Sequence, residues 1–354
     1  MVIEIPGNML EGGGQIVRTS VALSALLEKS IHVRNVRAKR TPPGLKAQHL
    51  TGVKAVATLS KAQCSGLDIG SIEFTFEPKS RMAGRFRFDI GTAGSIPLVL
   101  QALMPTSAFA PDRLEIEVTG GTDVRWSPTI DYIRFVKLPM LAKMGYQAQL
   151  KVLRRGHYPK GGGRVVMAVN PLRRLERIQL TDQNGIRRIR GLSHCVKLPR
   201  HVAERQVKAA ESALGKAGYA DARLDLEWYE VENDHHLGPG SGILLYAETG
   251  SGTIIGADAI GERGKPAEKV GLEAAENLIA EVKSGTPVDR HLADMLIPYM
   301  AVADGSSKIL TSQITLHTLT NIRITELVAG VKFKVAGDLG KPGSIEVEGI
   351  GLTL

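Results

Sequence analysis

Cysteine is nearly absent. Cys64 and Cys195 are the only two in 354 residues, too few for a disulfide framework, and no C-x-x-C pair or regular Cys/His spacing suggests a structural zinc site. Both are expected as buried or inert thiols. Aromatic residues are scarce, at 5%, and form no evident stacking motif. Long apolar runs are missing as well. No window approaches the roughly 18 uninterrupted apolar residues of a membrane span, and no charged segment leading into a long apolar stretch follows Met1. The expected location is the cytoplasm, with no membrane partner, and no obligate protein partner is evident.

Acidic residues are outnumbered: 45 Lys and Arg against 36 Asp and Glu give a formal net charge of +9 and a sequence pI near 9.5. Such a field attracts polyanions, which points to a nucleic acid or nucleotide partner. A 43% apolar content suffices for a large core in one large or two ordinary domains. The 39 glycines punctuate short strand-like and helix-like runs without a low-complexity tract, the pattern of an α+β or α/β protein.

Residues 2–5 read as a strand, 11–14 as a tight glycine turn and 15–27 as a helix with Ile16, Ser20, Leu23 and Leu27 on one face. The order returns about 80 residues later: residues 85–90 alternate as a strand, Gly91-Thr92-Ala93-Gly94-Ser95 make the loop, and 96–103 form an apolar helix. A third unit is expected near Lys308, with a strand over 309–315 and a helix over 318–328. Such units suggest duplicated modules packed around one another. From about 184 to 276 the character changes: a strand starts at Ile189, an amphipathic helix covers 202–217, and strands cover 224–229 and 242–248. That stretch reads as an inserted module.

Four segments carry chemistry. In Glu11-Gly12-Gly13-Gly14-Gln15-Ile16-Val17-Arg18, three glycines permit close backbone approach, and the following helix start favours anions; a plain tight turn uses the same residues. Neither G-x-x-x-x-G-K-[ST] nor G-x-G-x-x-G occurs. The run from Arg37 through Arg40 to Gln48 and His49 is a basic cluster with a proline turn. Its arginine forks suit phosphate oxygens or simply face solvent. Arg155-Gly156-His157-Tyr158-Pro159-Lys160-Gly161-Gly162-Gly163-Arg164 reads as a second phosphate loop or a hairpin. His317 sits beside a helix start, where a neutral imidazole is a competent nucleophile and helix amides steady phosphate charge. Asp234-His235-His236 has the look of a short phosphoesterase or metal-binding signature, but no supporting carboxylate array accompanies it.

These segments, in this order and over nearly the whole chain, resemble the RNA 3′-terminal phosphate cyclase family. Further matching stretches are Gly120-Gly121-Thr122-Asp123, Pro199-Arg200-His201-Val202-Ala203-Glu204-Arg205, His291-Leu292-Ala293-Asp294 and Leu319-Thr320-Asn321-Ile322. The resemblance implies an α+β fold, an α/β sandwich. Its large domain would hold three repeated βαβαββ-type units over 1–183 and 277–354, and a smaller α/β domain would be inserted at 184–276.

It also implies the chemistry: ATP-dependent conversion of an RNA 3′-phosphate to a 2′,3′-cyclic phosphate. Histidine attacks the ATP α-phosphate, AMP passes to the RNA end, and the 2′-hydroxyl displaces AMP. His317 occupies the nucleophile position. The resemblance puts a divalent metal, Mg or Mn, on Glu11, and phosphates of ATP or RNA on Arg18, Arg37, Arg40, Gln48 and His49. ATP would also meet Gln101, Pro128, His291, Leu292, Ala293, Asp294 and Met295. The family commonly has tyrosine at the adenine-stacking position, where this chain has His291, three residues before Asp294 and on the same helical face. The partners expected are ATP and an RNA with a 3′-phosphate end, recognised with little base specificity given the few aromatics. A non-catalytic, cyclase-like RNA-binding protein of ribosome assembly is the alternative, and retention of His317, Glu11, Arg18, Arg37 and Arg40 argues against it. An enolpyruvyl-transferase-like enzyme would share only the broad architecture.

Overall fold

The computed structural model describes residues 2–353. Its first unit runs β1 (Ile3–Pro6), α1 (Gly14–Leu27), β2 (Ile31–Arg34), α2 (Ala47–Ser60), β3 (Gln63–Ser65) and β4 (Phe74–Glu77). The second repeats that order: β5 (Gly84–Asp89), α3 (Ile96–Ala108), β6 (Leu114–Gly120), a helix in two parts, β7 (Gln147–Arg154) and β8 (Gly163–Asn170). The two parts, α4 (Ile130–Tyr132) and α5 (Leu138–Ala142), are joined by a π-helical turn at Ile133–Lys137. The third unit opens with β9 (Gln179–Leu180) and is then interrupted by β10 (Ile186–Val196), α6 (His201–Lys216), β11 (Arg223–Glu227), β12 (Gly240–Thr249), β13 (Ile254–Ile260) and α7 (Ala267–Lys283). It resumes with α8 (Arg290–Val302), β14 (Asp304–Thr311), α9 (Leu316–Ala329), β15 (Phe333–Ala336) and β16 (Gly343–Ile350).

Each unit builds one four-stranded sheet in which its strands lie in the order first, second, fourth, third: β1-β2-β4-β3, β5-β6-β8-β7 and β9-β14-β16-β15. In all three the first two strands are parallel and the remaining pairs antiparallel. The chain is therefore an α+β protein of three βαβαββ units. The third unit differs in phase from the sequence expectation. β14 and α9 are not the start of a copy but its second strand and second helix, because the excursion after β9 separates the first strand from the rest. β14 also ends at Thr311, paired with Gly343, rather than at residue 315. Thr315 instead caps α9, its Oγ1 accepting from Thr318 N at 3.0 Å.

The helices of the three units pack on one another, α1 against α2, α3 and α9, and α8 against α3 and α9, with the sheets outside. The sequence predicts one buried face for α1. The structure buries it on nearly all sides, from Gln15 to Leu26, since helices surround it and a central helix has no solvent face. The excursion forms its own sheet, β11-β10-β12-β13, packed against α6 and α7. Ile189, Leu245, Ile255, Val270, Leu278 and Val282 share a core distinct from the main one. α7 carries this core on to Lys283. Among the described residues no helix is long and apolar enough to cross a membrane. Cys195 is buried and Cys64 half-buried, and burial raises the Cys64 thiol to about 11.

Candidate active site

Helix starts converge at one place. Gly13 caps α1 without a side-chain hydrogen bond, leaving first-turn amides available to an anion. The start of α2 meets it there: a Cβ on Gly14 would run into the His49 imidazole, so glycine is required for this approach. The start of α9 meets it from another side, where Glu11 N donates to Thr320 Oγ1 at 3.3 Å. Gln48 ties α2 to the start of α3, its Oε1 accepting from Ser95 N at 2.9 Å.

His317 lies in the first turn of α9, with about half of its side chain exposed. Its Nδ1 is 2.6 Å from Gln15 Oε1, and Gln15 Nε2 donates to Asp294 Oδ2 at 3.0 Å. With the Gln15 amide nitrogen donating to Asp294, its oxygen is left to accept from the imidazole. Nδ1 then carries the proton and Nε2 keeps a lone pair. Asn321 steadies the same scaffold by donating to the Asp294 carbonyl at 2.7 Å and accepting from Thr19 Oγ1 at 2.5 Å. Glu11 pairs with Arg40 through Oε1, while its buried Oε2 has no hydrogen-bond partner and lies 3.7 Å from His317 Nδ1.

Burial shapes the charges nearby. His49 is pushed down to about 3 by burial, helped by the Arg18, Arg37 and Lys46 cations, and so is neutral. Arg18 is lowered to about 10 by burial, opposed by Glu11 and Asp294. Lys137 is lowered to about 7 by burial, against the attraction of Asp294. Asp294 is raised by burial, against His317, His291, Arg18 and Lys137.

Gln15, Arg18, Gln101, Lys137, Asp294 and Met295 line one small cavity, and Gln101 Nε2 sits 3.8 Å from Met295 Sδ. Of the residues expected from sequence, the structure thus brings together Glu11, Arg18, Arg40, Gln48, His49, Gln101, Asp294, Met295 and His317. Arg37 lies close enough to the site for its charge to act on His49 and to feel Glu11 and Arg40, while its Nη1 donates to the Pro42 and Gly44 carbonyls at 3.0 and 2.7 Å, holding the loop. Leu292 and Ala293 have fully buried side chains that belong to the core. His291 is exposed and meets Tyr132 edge-on at 6.5 Å. Pro128 accepts from Ser127 Oγ at 3.0 Å just ahead of α4. Gln15, Lys137 and Asn321 were absent from the sequence-derived set. Gln15 follows the glycines directly, and Lys137 is an isolated cation among apolar residues, which are the signals that could have found them.

The family model for RNA 3′-terminal phosphate cyclase matches residues 9–335. The RNA 3′-terminal phosphate cyclase of Ignicoccus hospitalis is 48% identical over 350 residues, covering 99% of each chain. That of Hyperthermus butylicus is 50% identical over 354 residues, covering 99% of this chain and 98% of its own. That of Pyrobaculum aerophilum is 50% identical over 351 residues, with 99% of each covered.

Proposed function

This chain belongs to the RNA 3′-terminal phosphate cyclase family, and we propose that it converts an RNA 3′-phosphate to a 2′,3′-cyclic phosphate at the expense of ATP, through His317. The observation that carries the reading is the Asp294–Gln15–His317 relay, which presents a lone pair on an exposed imidazole Nε2 next to several helix N-termini.

In the first step Nε2 attacks the ATP α-phosphorus, an N–P bond forms and diphosphate leaves. An oxygen of the RNA 3′-phosphate then attacks the same phosphorus and the N–P bond breaks, leaving AMP on the RNA end. The 2′-hydroxyl oxygen finally attacks the 3′-phosphorus, releases AMP and loses its proton to a base or water. A phosphomonoester dianion is a poor electrophile, and adenylylation supplies its leaving group. The last attack is intramolecular, where alignment alone can contribute up to about 7 to 11 kcal/mol. Arg18, Arg40 and the α1 amides would neutralise phosphate charge. The nucleoside would lie over the mouth of the small cavity lined by Gln101, Asp294 and Met295.

A divalent cation fits at Glu11, whose Oε2 is a buried, unpartnered hard oxygen, and phosphate oxygens and water would complete the shell of Mg or Mn. When bound, it would offset triphosphate charge. The test is incubation of wild-type and His317→Ala protein with α-labelled ATP and Mg, followed by denaturing electrophoresis. Acid-labile label that needs His317 and moves to a 3′-phosphorylated RNA is expected. An unlabelled wild-type protein that still binds RNA overturns the covalent mechanism.

A further inference from the structure

Two segments take no part in the site above: the turn between β7 and β8, containing Arg155-Gly156-His157, and Asp234-His235-His236. Both lead to one buried cluster where the second repeat unit meets the inserted sheet. Asp123 follows β6, His157 lies in the β7–β8 turn, and His194 projects from β10. All three are buried, with exposures of 2%, 6% and 1%. Their ligand atoms lie within 4.8 Å of one another, and among the described residues no other trio of His, Cys, Asp or Glu does so.

What sets the cluster apart is unmet bonding. Asp123 Oδ1, His157 Nε2 and both ring nitrogens of His194 are buried without a hydrogen-bond partner, although buried polar atoms normally find one. His194 Nε2 is 3.7 Å from Asp123 Oδ2, too far for a hydrogen bond. An ion held by the imidazole and this carboxylate at about 2.0–2.2 Å from each would give His194 and the unpartnered Asp123 Oδ1 a partner.

Charge points the same way. Arg155 is wholly buried and pairs with Asp131 at 2.7 Å, Glu227 at 2.7 Å and Asp123 at 3.4 Å. One guanidinium thus faces three carboxylates, a cluster with more oxygen acceptors than a single cation serves.

We propose that Asp123, His157 and His194 form a binding site for a divalent transition metal, zinc being the best fit, that pins the inserted domain to the second repeat unit. Two imidazoles and one carboxylate, with water as fourth ligand, suit tetrahedral Zn(II). Thr122 supports the carboxylate, its Oγ1 donating to Asp123 Oδ2 at 2.6 Å. His236, bonded to Asp234 through Nδ1 at 2.8 Å, lies outside the trio.

The test uses the full chain carrying Glu11→Gln and His317→Ala, so that metal at the nucleotide site does not contribute. After chelation, Zn(II) is added, the protein is desalted and metal is counted by mass spectrometry. One retained equivalent is expected, with a raised Tm, and it should vanish in His157→Asn and His194→Asn. No retained equivalent, or one that survives both substitutions, overturns the site. Should the substituted chains fail to fold, Co(II) added to the stripped Glu11→Gln, His317→Ala protein decides. Intense tetrahedral d–d absorption displaced by Zn(II) supports the site, and the spectrum of free hexaaqua Co(II) overturns it.

Discussion

Nδ1 of His317 stands 2.6 Å from Oε1 of Gln15, a residue 302 positions away in the chain. Gln15 reaches Asp294 with its other end, so one amide sets both the direction and the tautomer of the imidazole.

Gln15→Ala should therefore slow labelling of the protein by α-labelled ATP by about 10- to 100-fold, the usual cost of removing a group that orients a functional histidine, while Tm changes little. Gln15→Glu should move the acid limb of the pH–rate profile upward, because a carboxylate beside Nδ1 favours the imidazolium. A Gln15→Ala enzyme with the wild-type rate and profile would remove Gln15 from the mechanism.

His49 gives the fold an acid weakness. The unfolded chain protonates this imidazole near 6.5, the folded chain only near 3, so acid favours unfolding. Stability present above pH 6.5 should fall by about 1.4 kcal/mol per pH unit between 6.5 and 3. Urea titrations of wild type and His49→Gln across that range measure it as a gap between the two that narrows in acid.

Lys137 acts with the opposite residue chemistry and the same slope. It is 2% exposed and titrates near 7 rather than 10.5, so the unfolded chain binds its proton more tightly. Its cost to stability is complete below pH 7 and shrinks as pH rises toward 10.5. Lys137→Met, similar in volume and apolar, should raise Tm at pH 6.5 and lose that advantage near pH 10. An equal shift at both pH values would mean that charge burial is not the cause.

Arg155 holds three carboxylates from two parts of the chain. Removing one partner of a buried ionic cluster strands the others, so Arg155→Met should cost about 3 to 5 kcal/mol, read from denaturant midpoints. Arg155→Lys should recover only part, since a single ammonium cannot reproduce the fork that meets Glu227 through Nε and Nη2, both at 2.7 Å.

The sequence by itself determined a good deal. Glycines beside strand and helix patterns set the local elements, because turn geometry and side-chain periodicity act over a few residues. Hence α1, α3 and α6 fall close to where the pattern puts them, and the ordered motifs carry the family resemblance. Tertiary structure alone decided the rest. The shared strand order of the three sheets was hidden, since an excursion splits the third unit and register is written in pairings between distant strands. Arg37 reads as a basic side chain in the sequence, and only the fold shows that its Nη1 also ties down the Pro42 and Gly44 carbonyls. The Asp294–Gln15–His317 relay and the Asp123–His157–His194 cluster each join residues from separate elements. Residue spacing along a chain reports which side chains share a face, but not which distant face that one will meet; that is settled only when the helices and sheets bury their apolar surfaces against each other.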